Sequence, residues 1–147
     1  MIRPRHKVGF EEAAFLDLLR TSDMLSRPVA KLLKGEDLSL TQYNVLRILR
    51  GAAEGLTCGE IGNRMITRDP DITRLLDRLE RRKLVTRCRE AGDRRTVRAQ
   101  IAPDGLELLA RLDDPVPAMH RKLLGHLSPE RLRILATLLA ACRSRAE

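Results

Sequence analysis

From Asp69 to Ile101 the chain sets a capped, arginine-rich amphipathic helix directly before a short alternating hairpin, an order that few folds accommodate. Asp69-Pro70 is a cap-plus-first-turn pair and predicts a helix over about 70–82. At about 100° per residue from Ile72, residues Leu75, Leu76 and Leu79 fall within about 60° and form one stripe to bury. The far side carries Pro70, Arg74, Asp77 and Arg81, flanked by Thr73 and Arg78. Leu84 to Arg89 and Thr96 to Ile101 alternate as two strands, with Glu90-Ala91-Gly92-Asp93-Arg94-Arg95 as the hairpin tip.

Helical patterns precede and follow this unit. A first helix is predicted from about Phe10 to Lys34, with Phe15, Leu18, Leu19, Leu25, Val29, Leu32 and Leu33 at helical spacing. Pro28 lies inside that stripe and predicts a kink or interruption. Ser39 with Gln42 is a capping-box pattern for a second helix, with Thr41 as a competing cap, and Thr57 with Glu60 opens a short third one. A fifth helix starts near Asp104, and Pro115 and Pro117 should bend or break it. Ser128-Pro129 opens a last helix that is nearly apolar all round from Leu132 to Cys142. A chain this small has little of its own to cover such a helix, so the ends of the chain are read as a homodimer interface.

Charge narrows the partner. The net charge is +8, and between Arg64 and Arg98 twelve basic residues face six acidic ones, so most of the excess lies in one window. Eleven of the twelve are arginine, whose planar fork suits phosphates and guanine edges. A solvated face laced with ion pairs is the alternative reading of any charge run. With no Trp, one Tyr and two Phe, stacking platforms for single-stranded nucleic acid are lacking. The longest nearly apolar stretch, Ile134 to Cys142, is far short of the roughly 20 residues that span a bilayer. The basic start (Arg3, Arg5, Lys7) meets Glu11 and Glu12 where a signal peptide needs its apolar region. Three scattered cysteines give neither a disulfide framework nor metal-ligand spacing. A cytoplasmic protein without a membrane segment is expected.

Three helices followed by a hairpin with a basic tip is the order of a winged helix-turn-helix. The fold class read from the sequence is mainly α with a small two- or three-stranded β wing. The whole chain, 1–147, is one domain, with 38–102 as the DNA-binding lobe and 10–36 and 104–147 as dimerisation helices. On the fourth helix Arg74 and Arg78 can each offer two hydrogen bonds to a guanine, and Thr73 can meet a thymine methyl or a phosphate. Arg81 shares that face. Asp77, three residues after Arg74 and four before Arg81, is read as orienting them rather than reading cytosine. Arg94 and Arg95 suit a minor groove, with Asp93 either holding one guanidinium or turning the chain.

The stretch Leu38 to Leu109 resembles the MarR family of winged-helix regulators. The matching residues are Leu-Ser-Leu-Thr-Gln-Tyr (38–43), Leu-Thr-Cys-Gly-Glu-Ile-Gly (56–62), Ile-Thr-Arg-Leu-Leu-Asp-Arg-Leu-Glu (72–80), Leu-Val-Thr-Arg (84–87) and Asp-Arg-Arg (93–95). The resemblance implies an obligate dimer on a pseudo-palindromic double-stranded DNA operator, usually a repressor released by a small anion or an oxidant. It places the family's wing motif on Asp93 and Arg95, and its recognition-helix Thr-Arg on Thr73 and Arg74. Lys83 stands where the family usually has glycine. A non-glycine residue in the left-handed region costs roughly 1 kcal/mol, so a different helix end is expected. Ala102-Pro103 replaces the usual Thr cap, and Pro28, Pro115 and Pro117 interrupt helices that are often continuous in the family.

No catalytic or metal constellation can be assembled, and no cofactor is implied. His120 and His126 lie about 240° apart around a helix and, with His6, are read as surface residues. Cys58, at the start of the third helix beside arginines, is the candidate redox thiol, set against a plain structural role. An effector would bind where the DNA-binding lobe meets the dimer helices, and the sequence does not name it. Two alternatives stand beside the regulator: an interaction module of the antirepressor kind that binds no operator, and a thiol-based oxidant switch.

Overall fold

The structure is a computed structural model that describes residues 8–144. The basic residues Arg3, Arg5 and Lys7, and His6, lie outside the described residues. The order is α1 (Phe10–Lys34), α2 (Leu40–Arg50), α3 (Cys58–Arg64), α4 (Ile72–Arg81), β1 (Val85–Glu90), β2 (Asp93–Ile101), α5 (Pro103–Leu112), α6 (Pro115–Leu124) and α7 (Pro129–Arg143). Among the described residues the sheet has two antiparallel strands, and an isolated bridge between Leu56 and Ala99 stands in for a third.

Local chemistry sets most boundaries. Ser39 and Thr57 both form complete capping boxes, with Gln42 and Glu60, and so start α2 and α3 where the sequence places them. Pro115 and Pro117 fall in the first turn of α6, where a missing N–H costs nothing, and α5 ends at Leu112 before them. Ala102 gives α5 no side-chain cap. Its own N–H goes instead to the Leu84 carbonyl at 2.9 Å, which ties α5 to the base of the hairpin.

Three local expectations are corrected. Of the kink or interruption expected at Pro28, the interruption does not occur: helix α1 runs on to Lys34, because proline removes one hydrogen bond while burial of Val29 and Leu33 holds the final turns. Helix α4 begins two residues later than expected. Asp71, not Asp69, is the cap, accepting the Arg74 N–H at 3.0 Å, while Asp69 accepts the Asp71 N–H at 2.8 Å and Pro70 stays outside the helix. The hairpin tip shrinks to Ala91-Gly92, with Gly92 at φ +96°, so Asp93, Arg94 and Arg95 belong to β2.

The core sits beneath the hairpin and between the helices. It gathers Leu33 of α1, Val45, Leu46 and Leu49 of α2, Ile61 of α3, Leu75, Leu76 and Leu79 of α4, Val85 and Ala99 of the hairpin, and Leu108, Leu109 and Val116. Each fully buried leucine contributes roughly 2 kcal/mol of transfer free energy. The ends of the chain do not share this core. Helix α7 has no buried residue, and Ile134 and Leu138 are 60% and 59% exposed. Arg131, Arg133 and Thr137 also interrupt its apolar surface. On α1, Phe10, Phe15, Leu19 and Met24 face water as well.

Candidate nucleic-acid interface

The interface is built on α4. Leu75, Leu76 and Leu79 press it into the core, which leaves Thr73, Arg74, Arg78 and Arg81 exposed along the other side. Its C-terminus closes with paired hydrogen bonds, Lys83 N–H to Glu80 carbonyl at 2.9 Å and Leu84 N–H to Leu79 carbonyl at 3.0 Å. Lys83 makes this possible by adopting φ +59°. The expectation of a different helix end is therefore corrected. Burial of Leu79 and Leu84 on either side of the turn offsets the left-handed strain.

Asp77 does not serve Arg74 or Arg81. It accepts Arg87 Nη2 from β1 at 2.5 Å, and the same guanidinium donates Nε to Glu80 at 2.9 Å. The bonds from Glu80 and then Asp77 raise the pKa of Arg87 above its ordinary value. Arg74 pairs at 3.2 Å with the capping Asp71. Among the described residues, the side chains of Arg78 and Arg81 make no ion pair or hydrogen bond.

The wing has its own brace. Arg89 pairs with Val97 and Glu90 with Asp93, so Arg94, Arg95 and Thr96 form a bulge with no partner on β1. The Asp93 carboxylate spans this bulge, accepting the Arg95 N–H at 2.9 Å and the Thr96 hydroxyl at 2.8 Å. These two bonds hold its pKa below the ordinary value of 3.8. Of the two roles open for Asp93, turning the chain is the one observed. The guanidiniums of Arg94 and Arg95 project from the bulge without an internal partner among the described residues.

Several other arginines of the basic window are held by partners within the chain, which charge counting alone does not reveal. Arg82 donates to the carbonyls of Asp37 and Glu36 at 2.6 and 3.1 Å, fastening the end of α4 to the α1–α2 loop. Glu36 in turn pairs with Arg111 at 3.0 Å, which lowers its pKa. Arg98 reaches Glu60 at 3.3 Å and the Gly55 carbonyl at 3.3 Å. Arg89 donates to the Arg94 carbonyl at 3.2 Å. The sequence signal for Arg87 is its place on a strand leaving the helix that carries Asp77 and Glu80.

Cys58 is the first residue of α3, half-buried, with its Sγ 4.0 Å from the Thr73 hydroxyl. Two cavities lie away from α4. One of about 330 Å³ is lined by Ser22, Leu25, Ser26 and Val29 of α1, Leu40, and His120, Leu123 and Leu124 of α6. A smaller one of about 150 Å³ lies between α2 and α6, with Tyr43, Arg47, Arg50 and Asp113 in its wall. His120 is exposed and borders both. No helix of the described residues is long and apolar enough to cross a membrane.

With this geometry in view, the family model of the MarR family matches residues 36–96, the span from the α1–α2 loop into the wing. The HTH-type transcriptional regulator PecS of Dickeya dadantii (strain 3937) is 30% identical over 124 residues, 83% of this chain and 75% of PecS. The chain belongs to the MarR family. A MarR transcription factor from Planctomyces limnophilus has a crystal structure 38% identical in sequence, with a TM-score of 0.70 over 93% of this chain and 99% of that one. BpsR of Bordetella bronchiseptica, 22% identical, shares the fold of this chain with a TM-score of 0.81 over 99% of this chain and all of its own. The matched span carries α4, and its last residues are the wing bulge Arg94 to Thr96.

Proposed function

We propose that this MarR-family protein is a sequence-specific, double-stranded DNA-binding transcriptional regulator, a homodimeric repressor released by a small-molecule effector. The observation that carries the reading is α4 itself. A helix seated by three buried leucines offers Thr73, Arg74, Arg78 and Arg81 on its outer side, next to a braced wing that projects Arg94 and Arg95. In the roles assigned, Arg74 and Arg78 read guanine edges, Thr73 a methyl or phosphate, and Arg81 a phosphate. Arg94 and Arg95 enter the adjacent minor groove, where negative potential favours arginine. Asp77 and Asp93 hold the geometry and make no base contact.

The division of labour follows the chain. Residues 38–102 bind DNA, and 10–36 with 104–147 form the dimer, which would cover the exposed apolar side chains of α1 and α7. Two recognition helices about one helical turn apart then fit a pseudo-palindromic operator. The larger cavity, between α1, α2 and α6, is the assigned effector site, because it lies where these two parts meet. The solved relative BpsR is described as having its DNA binding regulated by 6-hydroxynicotinic acid. The protein works without catalysis or cofactor, in the cytoplasm beside the chromosome.

Selection of bound duplexes from a random library, followed by fluorescence anisotropy over a salt series, tests this. A specificity ratio above about a thousand and a steep salt dependence are expected. Arg74→Ala or Arg78→Ala should each cost about 1–3 kcal/mol and relax the preference at one base pair. An Arg74→Ala, Arg95→Ala double variant that binds as tightly as the natural protein would refute the assignments. Absence of any DNA preference would favour the interaction module. The contact between Cys58 and Thr73 supports a second reading, in which oxidation at Cys58 pushes against the recognition helix. It requires peroxide to abolish binding in the natural protein and to leave Cys58→Ser unaffected.

A further inference from the structure

Helix α4 carries two carboxylates, Asp77 and Glu80, among the arginines assigned to DNA. A carboxylate within about 8 Å of a phosphate-lined groove repels it at physiological salt, since screening over that distance is incomplete. In this fold both acids are gripped by one side chain from the wing. Arg87 is the third residue of β1, and its side chain is only 24% exposed, against 38% for Asp77 and 43% for Glu80. Its fork sends Nη2 to Asp77 at 2.5 Å and Nε to Glu80 at 2.9 Å, two acids nearly one helical turn apart. A lysine ammonium is a point charge and cannot reproduce that planar, two-pronged grip. The neighbouring cleft is lined by Asp77, Glu80, Arg81 and Arg87, so the masked acids lie directly beside a free DNA-directed arginine.

We propose that Arg87 is a positioning residue for DNA recognition: it draws Asp77 and Glu80 toward the wing and offsets half of their charge, so that the duplex meets Arg74, Arg78 and Arg81. The inference rests on the DNA-binding reading given above. It also explains why a reading helix tolerates two acids, because both are turned toward a different element that offsets part of their charge.

The full-length protein is titrated with its selected duplex in a salt series, by anisotropy, with thermal unfolding of every variant followed by circular dichroism. Arg87→Met exposes the acids and should weaken operator binding by about tenfold or more near 0.15 M salt. Adding Asp77→Asn and Glu80→Gln to Arg87→Met removes the exposed charge and should return affinity to within about threefold of the natural protein, and a rescue at unchanged thermal stability separates charge masking from a merely structural role. Arg87→Lys should fall between. Asp77→Asn with Glu80→Gln on intact Arg87 should bind at least as tightly as the natural protein, and this keeps the test decisive even where Arg87→Met fails to fold. Three results overturn the proposal: Arg87→Met within about twofold of the natural protein, a triple variant no better than Arg87→Met, or a marked loss in the Asp77→Asn, Glu80→Gln protein. A natural protein with no duplex preference overturns the DNA-binding reading and this one with it. Selective binding that ignores Arg87→Met overturns this one alone.

Discussion

Lys83 offers a substitution whose effect can be worked out from backbone geometry. At φ +59° an L side chain crowds its own carbonyl, a strain of about 1–2 kcal/mol that glycine escapes. Against this gain, glycine frees the unfolded chain, which costs about 0.4–1 kcal/mol. Loss of a cation at a helix C-terminus costs about 0.3 kcal/mol more. Lys83→Ala removes the same charge and keeps the strain, so the comparison of Lys83→Gly with Lys83→Ala isolates the backbone effect. The glycine variant should be the more stable of the two by about 1 kcal/mol. That corresponds to about 2–4 °C in Tm at one fixed protein concentration, or to a higher urea midpoint with an unchanged slope. Circular dichroism in both modes suffices. An alanine variant as stable as the glycine variant would limit the left-handed penalty to glycine's own entropic cost of about 0.4–1 kcal/mol and would refute the reasoning.

Other outcomes follow from contacts already described. Glu36 has its pKa lowered by the hydrogen bond from Arg111, so the stability it adds is complete above its ordinary value of 4.5 and is lost as pH falls through the lower folded value. Urea midpoints of Glu36→Gln and the natural protein should therefore differ at pH 6 and converge as pH falls through and below the folded value, while a constant gap would argue against the ion pair. Gly105→Ala puts a methyl 2.4 Å from the Leu84 carbonyl and 2.8 Å from Ile101, and should cost at least about 2 kcal/mol in chemical denaturation. A neutral result would mean α5 does not press on the hairpin base. Arg82→Ala removes both bonds to the α1–α2 loop and should cost about 1 kcal/mol, with unchanged stability counting against the clamp.

Much of this molecule was legible from residue order, and the reasons are local. The capping boxes at Ser39 and Thr57 involve partners three residues away, so sequence contains the whole interaction. The leucine stripe of α4 needs only helical periodicity. Where two solutions compete within a few residues, sequence does not decide. Asp69 and Asp71 are both good caps, and the choice depends on which carboxylate meets the Arg74 N–H. The hairpin allows a long tip or a tight turn with a bulge, and the two bonds accepted by Asp93 select the bulge. The fate of each arginine was the least legible feature. Arg82, Arg87 and Arg98 differ from Arg78 and Arg81 only in what the tertiary structure places nearby, at separations of 45, 10 and 38 residues from their partners.

The uncovered apolar arms at the two ends of the chain have a consequence for how the protein works at low abundance. If a second copy must cover Phe10, Phe15, Ile134 and Leu138, then freshly made protomers in scarce supply are caught between pairing and degradation. Active species then grow with the square of the number of chains made. A cell would see little occupancy until production crosses a threshold, after which control switches on abruptly, with no ligand involved.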